Sequence, residues 1–161
     1  MLRFLQCKVN NLFWNFMTEY IISYEQLLLS FRKRTEYISG KRASTTSGYY
    51  RHAATQADMA IAGELALLAC AVVATGLGKG CRNFKFQSDR VLFSLSIAES
   101  ELEVSSLLQE ALLCHMLCRW CLLTGLEDYE AWKLRGEETT ENLSRRLQRG
   151  RPLFRRQIPS M

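Results

Sequence analysis

The sequence predicts a mainly α-helical fold: about four helices in a bundle, with one small antiparallel β-hairpin between the second and third core helices. Three observations lead there. Apolar residues recur at helical spacing over four long stretches, and both prolines, Pro152 and Pro159, lie beyond them. Ser-x-x-Gln and Ser-x-x-Glu sequences stand where two of those stretches begin. One short region switches to period-two alternation, which is the pattern of strands. With 161 residues, 48% hydrophobic and 23% charged, the chain has the size and composition of one globular domain. Such a chain buries about two-thirds of its unfolded surface. A (β/α)₈ barrel, a long coiled coil and a pair of large domains are excluded.

Residues 1–16 carry Arg3 and Lys8 among scattered apolar residues. They contain neither the continuous apolar run nor the small-residue cleavage site of a signal peptide. They read as an N-terminal extension with little role in the fold, with Met17 as an alternative start. Ser23-Tyr24-Glu25-Gln26 is a capping box, so a helix follows to about Tyr37, with Leu27, Leu28, Phe31 and Ile38 on its buried face. Ser39-Gly40 should end it, and residues 41–48 read as a polar loop. A second helix is expected from Tyr49 to Leu77, closed by Gly76, Gly78 and Gly80.

Alternation at Phe84 and Phe86, then at Val91, Phe93, Leu95 and Ile97, split by Gln87-Ser88-Asp89, predicts a hairpin over 83–97. Ser100-Glu101-Leu102-Glu103 caps a third helix running to Thr124, with Gly125 as its stop. It is apolar nearly all round from Ala111 to Leu123, as a central core helix would be. A last helix is expected from Glu127 to Arg149, with Tyr129, Trp132, Gly136, Leu143 and Leu147 on one face. The helical domain thus spans 17–150, and 151–161 form a basic C-terminal tail.

Met59–Leu77 is nearly long enough to span a membrane, with Glu64 as its only charge. Its Ala and Gly content and its mid-span carboxylate point instead to a buried helix of a soluble fold. The six cysteines, Cys7, Cys70, Cys81, Cys114, Cys118 and Cys121, read as reduced thiols in a cytosol.

Cys114-His115-Met116-Leu117-Cys118-Arg119-Trp120-Cys121 has the C-x-x-x-C-x-W-C letters of an iron–sulfur cluster motif. Positions i, i+4 and i+7 of a helix put its outer sulfurs about 10 Å apart along the axis, too far for one cluster. A zinc site would need a second ligand pair that the chain lacks. His52 and His115 have no partner in sequence for acid–base work. Gly76-Leu77-Gly78-Lys79-Gly80 follows a helix rather than preceding one, so it has no free N–H groups to cradle phosphate. The expectation is a non-enzymatic protein without cofactor or metal.

The charge is more informative. The net charge is +5, yet residues 99–141 hold ten acidic residues against Arg119, Lys133 and Arg135, a local charge of −7. Residues 145–161 hold Arg145, Arg146, Arg149, Arg151, Arg155 and Arg156 and no acid, a local charge of +6. A second basic cluster joins Arg32, Lys33 and Arg34 with Lys41 and Arg42. Guanidinium forks suit phosphate and carboxylate oxygens. The basic runs are candidate contacts for nucleic acid backbone or for the acidic patch of a neighbouring copy, although such a run also serves simply to solubilise a tail.

Several segments together resemble a family of small proteins from phages and prophages of Bacteroides-type bacteria. They are residues 24–30 with Arg32-Lys33-Arg34-Thr35, the Tyr49-Tyr50-Arg51 helix start, the Phe84–Ile97 ribbon, residues 120–125, and Arg149-Gly150-Arg151-Pro152 with Arg155-Arg156. The resemblance implies a virion structural protein of the head-to-tail connector (neck) type. Such a subunit forms a ring with further copies and neighbouring virion proteins, in the host cytoplasm before assembly and then in the virion. The alternative is a small DNA-binding accessory or regulatory protein that uses the Arg-rich C-terminus.

Overall fold

The computed structural model describes residues 17–43, 53–96 and 101–149. In chain order they form β1 (Met17–Ser23), α1 (Tyr24–Ala43), α2 (Met59–Leu77), β2 (Cys81–Phe86), β3 (Arg90–Ser96), α3 (Glu101–Thr124) and α4 (Tyr129–Arg149). The fold is mainly helical, as the periodicity predicts, with a small antiparallel sheet.

The sheet has three strands rather than two, in the order β1-β3-β2. The added strand is β1, whose alternation buries Tyr20 and Ile22 and turns Glu19 and Ile21 outward. It pairs with β3 from Met17↔Ser96 to Ser23↔Arg90. A two-stranded ribbon is marginal alone, and β1 supplies the second partner that β3 needs. The hairpin itself begins at Cys81, two residues before the expected start, and shifts register between Cys81 and Asn83. Phe84 stacks on Phe93 across it, with ring centroids 5.7 Å apart.

Two helix boundaries differ from expectation. α1 runs through Ser39-Gly40 to Ala43, so Lys41 and Arg42 belong to its last turn rather than to a loop. One helical glycine costs about 1 kcal/mol, and burial of Phe31, Thr35 and Ile38 holds the helix across it. α2 begins at Met59, after non-helical residues 53–55 and a 3₁₀ turn at Gln56–Asp58, so the expected helix does not run unbroken to Leu77 from Tyr49. The cause is local. Asp58 Oδ2 accepts from the Thr55 amide (2.8 Å) and hydroxyl (2.7 Å), while Thr35 Oγ1 accepts from the Ala54 amide at 2.9 Å. Those donors are satisfied outside a helix, so the helix starts after them. The expected starts at Tyr49 and Ser100 lie outside the described residues, as do residues 1–16 and 151–161.

Other signals hold. The Ser23 hydroxyl accepts from the Gln26 amide at the start of α1. Gly78 (φ 52°) and Gly125 (φ 68°) close α2 and α3 in backbone conformations that disfavour a Cβ. α3 lies at the centre, with Leu108, Leu112, Met116 and Leu117 fully buried. Its burial is not all-round, because Leu122 and Leu123 near its end are exposed. Phe31 of α1 meets Trp120 edge to face at 5.7 Å, and Leu143 and Leu147 seat α4 on the same core. Gly63 lets Tyr24 approach α2: a Cβ there would collide with the phenol oxygen.

Candidate polyanion-binding groove

α1 and α4 flank a groove of about 630 Å³ lined by Lys33, Arg34, Tyr37, Ile38, Asp128, Ala131, Trp132 and Arg135. Its geometry is set by one carboxylate. Glu110 of α3 accepts two hydrogen bonds from Arg34 of α1, at 2.6 and 3.1 Å, and pairs with Arg135 of α4 at 2.8 Å. Two guanidiniums share a single counter-charge. Exposed Lys33 adds a third cation, and Asp128 supplies one opposing charge at the wall.

The Arg135 guanidinium also lies 5.6 Å from the centre of the Trp132 ring, within cation–π range. Half-buried Trp132 and exposed Tyr37 give the groove an aromatic surface. Cationic forks beside an aromatic face suit a ligand that carries both negative oxygens and flat rings.

Of the residues proposed from sequence, Lys33 and Arg34 line this groove, whereas Arg32 pairs with Glu36 one turn along α1 at 3.2 Å. Arg145 pairs with Glu141 at 2.5 Å, and Arg146 pairs with Glu103 of α3. Part of the positive run is therefore neutralised by the acidic segment of the same chain. Arg149 is the last residue of α4, and Arg151, Arg155 and Arg156 lie outside the described residues. The sequence reading missed Glu110, Tyr37, Trp132 and Arg135 as site residues. Trp132 and Arg135 stand at i, i+3 on one helix, and that spacing was the signal available.

A smaller cavity of about 250 Å³ opens between α2, α3 and α4, where His115, Cys118, Arg119, Tyr129, Lys133 and Glu137 meet. His115 and Arg119 share it, but the histidine's hydrogen bond goes to Thr140, with Nε2 3.2 Å from Oγ1. That hydroxyl donates in turn to the Gly136 carbonyl at 2.8 Å. Burial holds His115 below the usual histidine range. Glu137 pulls it upward, and Arg119 lowers it further. Its ring lies over Gly136, where a Cβ would come within 3.1–3.2 Å of three ring atoms.

Cys114, Cys118 and Cys121 are buried on α3, and Cys70 is buried on α2. Burial pushes the Cys70 and Cys114 thiols up to about 12 and Cys81 to about 11, and it raises Cys118 as well. These thiols stay protonated at neutral pH and pack as small apolar groups. Among the described residues no group of three His, Cys, Asp or Glu side chains is placed to hold a metal ion.

Comparison with known proteins gives no match to a family model, to a curated protein or to a solved structure.

Proposed function

We propose that this chain is a non-enzymatic structural subunit that meets nucleic acid backbone through the α1–α4 groove, as a phage or prophage head-to-tail connector assembling into a ring. One observation carries the binding half of this reading: Lys33, Arg34 and Arg135 line the same groove as Trp132, with Glu110 and Asp128 as their counter-charges among the described residues. Guanidinium forks match phosphate oxygens, and an aromatic face accepts an unstacked base. The connector assignment draws on the resemblance in residues 24–35, 84–97 and 120–125. With it go a ring of copies, contacts to neighbouring virion proteins, and a passage from host cytoplasm to virion. The second reading is a small DNA-binding accessory protein, which a groove complete within one chain also favours.

The test uses the full chain with fluorescently labelled duplex and single-stranded oligonucleotides, read by anisotropy across salt concentrations. Light scattering follows the mass in parallel. The connector reading expects salt-sensitive binding by an assembly of several copies. Binding by a monomer at all concentrations replaces it with the accessory reading, and absence of binding at low salt overturns both.

A further inference from the structure

The smaller cavity, between α2, α3 and α4, lies on a different face of α4 from the groove. Tyr129, Lys133 and Glu137 line it at successive turns, whereas Asp128, Ala131, Trp132 and Arg135 face the groove. At 3.6 residues per turn the two sets are centred roughly 150° apart around the helix.

The charges in the cavity are sorted along its length. His115 lies over Gly136, and Glu103 meets Arg146, so α3 and α4 run antiparallel. Arg119, one turn beyond His115, is therefore level with the turn from Tyr129 to Lys133, while Glu137 is level with His115. One end holds two cations and the other holds a carboxylate. Burial holds His115 below the usual histidine range and keeps the Cys118 thiol protonated, so neither adds a charge at neutral pH.

Arg119 and Lys133 have no carboxylate partner among the described residues, whereas Arg32, Arg34, Arg90, Arg135, Arg145 and Arg146 each have one. The Lys133 ammonium instead lies 6.0 Å from the centre of the Tyr129 ring. Glu130 acts on Cys118 electrostatically, as these groups do, but does not line the cavity. Between the charges the wall is apolar. Ala69 (2% exposed) and Cys118 (8%) form its floor, with Leu68 and Val72 at the mouth.

Size and charge together select a ligand. The volume of about 250 Å³ equals that of roughly eight water molecules, below the roughly 300–1,000 Å³ that drug-sized ligands occupy. It suits a single short chain or ring. A carboxylate at the cationic end gains a guanidinium fork and an ammonium that no protein carboxylate claims. An alkyl chain laid along Ala69, Cys118 and Val72 leaves water. A second carboxylate at the far end of that chain meets Glu137, and an ammonium in place of the first meets Arg119 and Lys133.

We propose that this cavity is a binding site for a small monocarboxylate with a short apolar chain. Arg119 and Lys133 hold the carboxylate, the α2–α3 wall packs the chain, and Glu137 turns dicarboxylates away.

Hexanoate, adipate and hexylamine share a six-carbon chain and differ at its ends, so they test this on the full chain by amide NMR titration. Hexanoate should give saturable shifts in residues 115–119 and 129–137, and should bind about tenfold more tightly than adipate or hexylamine. Arg119→Gln and Lys133→Gln should each weaken it about fivefold or more with the spectrum otherwise native, since both side chains are exposed. Lys85→Gln removes the same charge from β2 and should leave the affinity unchanged. Glu137→Gln should narrow the gap between hexanoate and adipate at least threefold. The proposal is overturned if hexanoate moves no cavity amide up to its solubility, or if adipate or hexylamine matches it. It is equally overturned if neither cation variant weakens hexanoate, or if Glu137→Gln leaves the gap as it was.

Discussion

Arg34 and Glu110, 76 positions apart in the chain, meet through two hydrogen bonds of 2.6 and 3.1 Å. The same carboxylate holds Arg135 at 2.8 Å, so α1, α3 and α4 are tied at one point and the groove beside Trp132 keeps its shape. The carboxylate stabilises the fold while opposing any anionic ligand.

That double role gives Glu110→Gln effects of opposite sign. Stability should fall by about 1–2 kcal/mol, because two part-exposed charge-assisted pairs become neutral ones. Affinity for an oligonucleotide should rise severalfold, because one opposing charge leaves the groove. Urea unfolding and anisotropy on the same preparation check both, and a fall in both would contradict the assignment.

Gly136 is where α4 passes over the His115 ring. Gly136→Ala should cost about 1–3 kcal/mol, because a Cβ 3.1 Å from the ring displaces it or the helix. In a His115→Ala background the same change should cost less than half as much. Equal costs in the two backgrounds, measured by chemical denaturation, would place the strain elsewhere.

The buried histidine also makes stability depend on pH. Its folded pKa lies below the ordinary value, so the unfolded chain binds the proton first as pH falls. This contribution is complete above about pH 6.5 and is lost progressively below it, until the folded state also takes up the proton. His115→Gln should flatten the slope of stability between about pH 7 and 5. Denaturant midpoints of the two proteins across that range provide the check, and parallel curves would exclude His115 as the source.

Thr35 links α1 to the segment ahead of α2, donating to the Arg32 carbonyl at 2.8 Å and accepting from the Ala54 amide at 2.9 Å. Thr35→Val keeps the volume but leaves a buried amide without its acceptor, at a cost of about 1–3 kcal/mol. Thr35→Ser should retain most of the stability. Thermal unfolding of the pair separates the hydrogen bond from the packing.

Helices were legible in the sequence because their periodicity and stop signals are local: Ser23 and Gly125 act at or near where they stand. β1 was not, although Tyr20 and Ile22 alternate with Glu19 and Ile21. Seven residues directly before a capping box give a weak period, and strand pairing with β3 is decided about seventy residues away. The start of α2 was missed for a related reason, since Thr35 takes the Ala54 amide from across the fold. The charge pattern was visible, but not its outcome. Arg146 finds Glu103 and Arg34 finds Glu110 only once α3 lies between α1 and α4. Two residues of the candidate groove, Lys33 and Arg34, could be named from sequence. Trp132 and Arg135 joined it through tertiary packing.

Lys33 is exposed and lines the groove, so replacing it tests binding without disturbing the core. The most direct measurement is the slope of log affinity for a duplex oligonucleotide against log salt, in the native chain and in Lys33→Ala. A phosphate contact at Lys33 predicts weaker binding and a slope smaller in magnitude by about one in the variant. Identical affinity and slope in the two proteins would contradict the α1–α4 groove as the polyanion site.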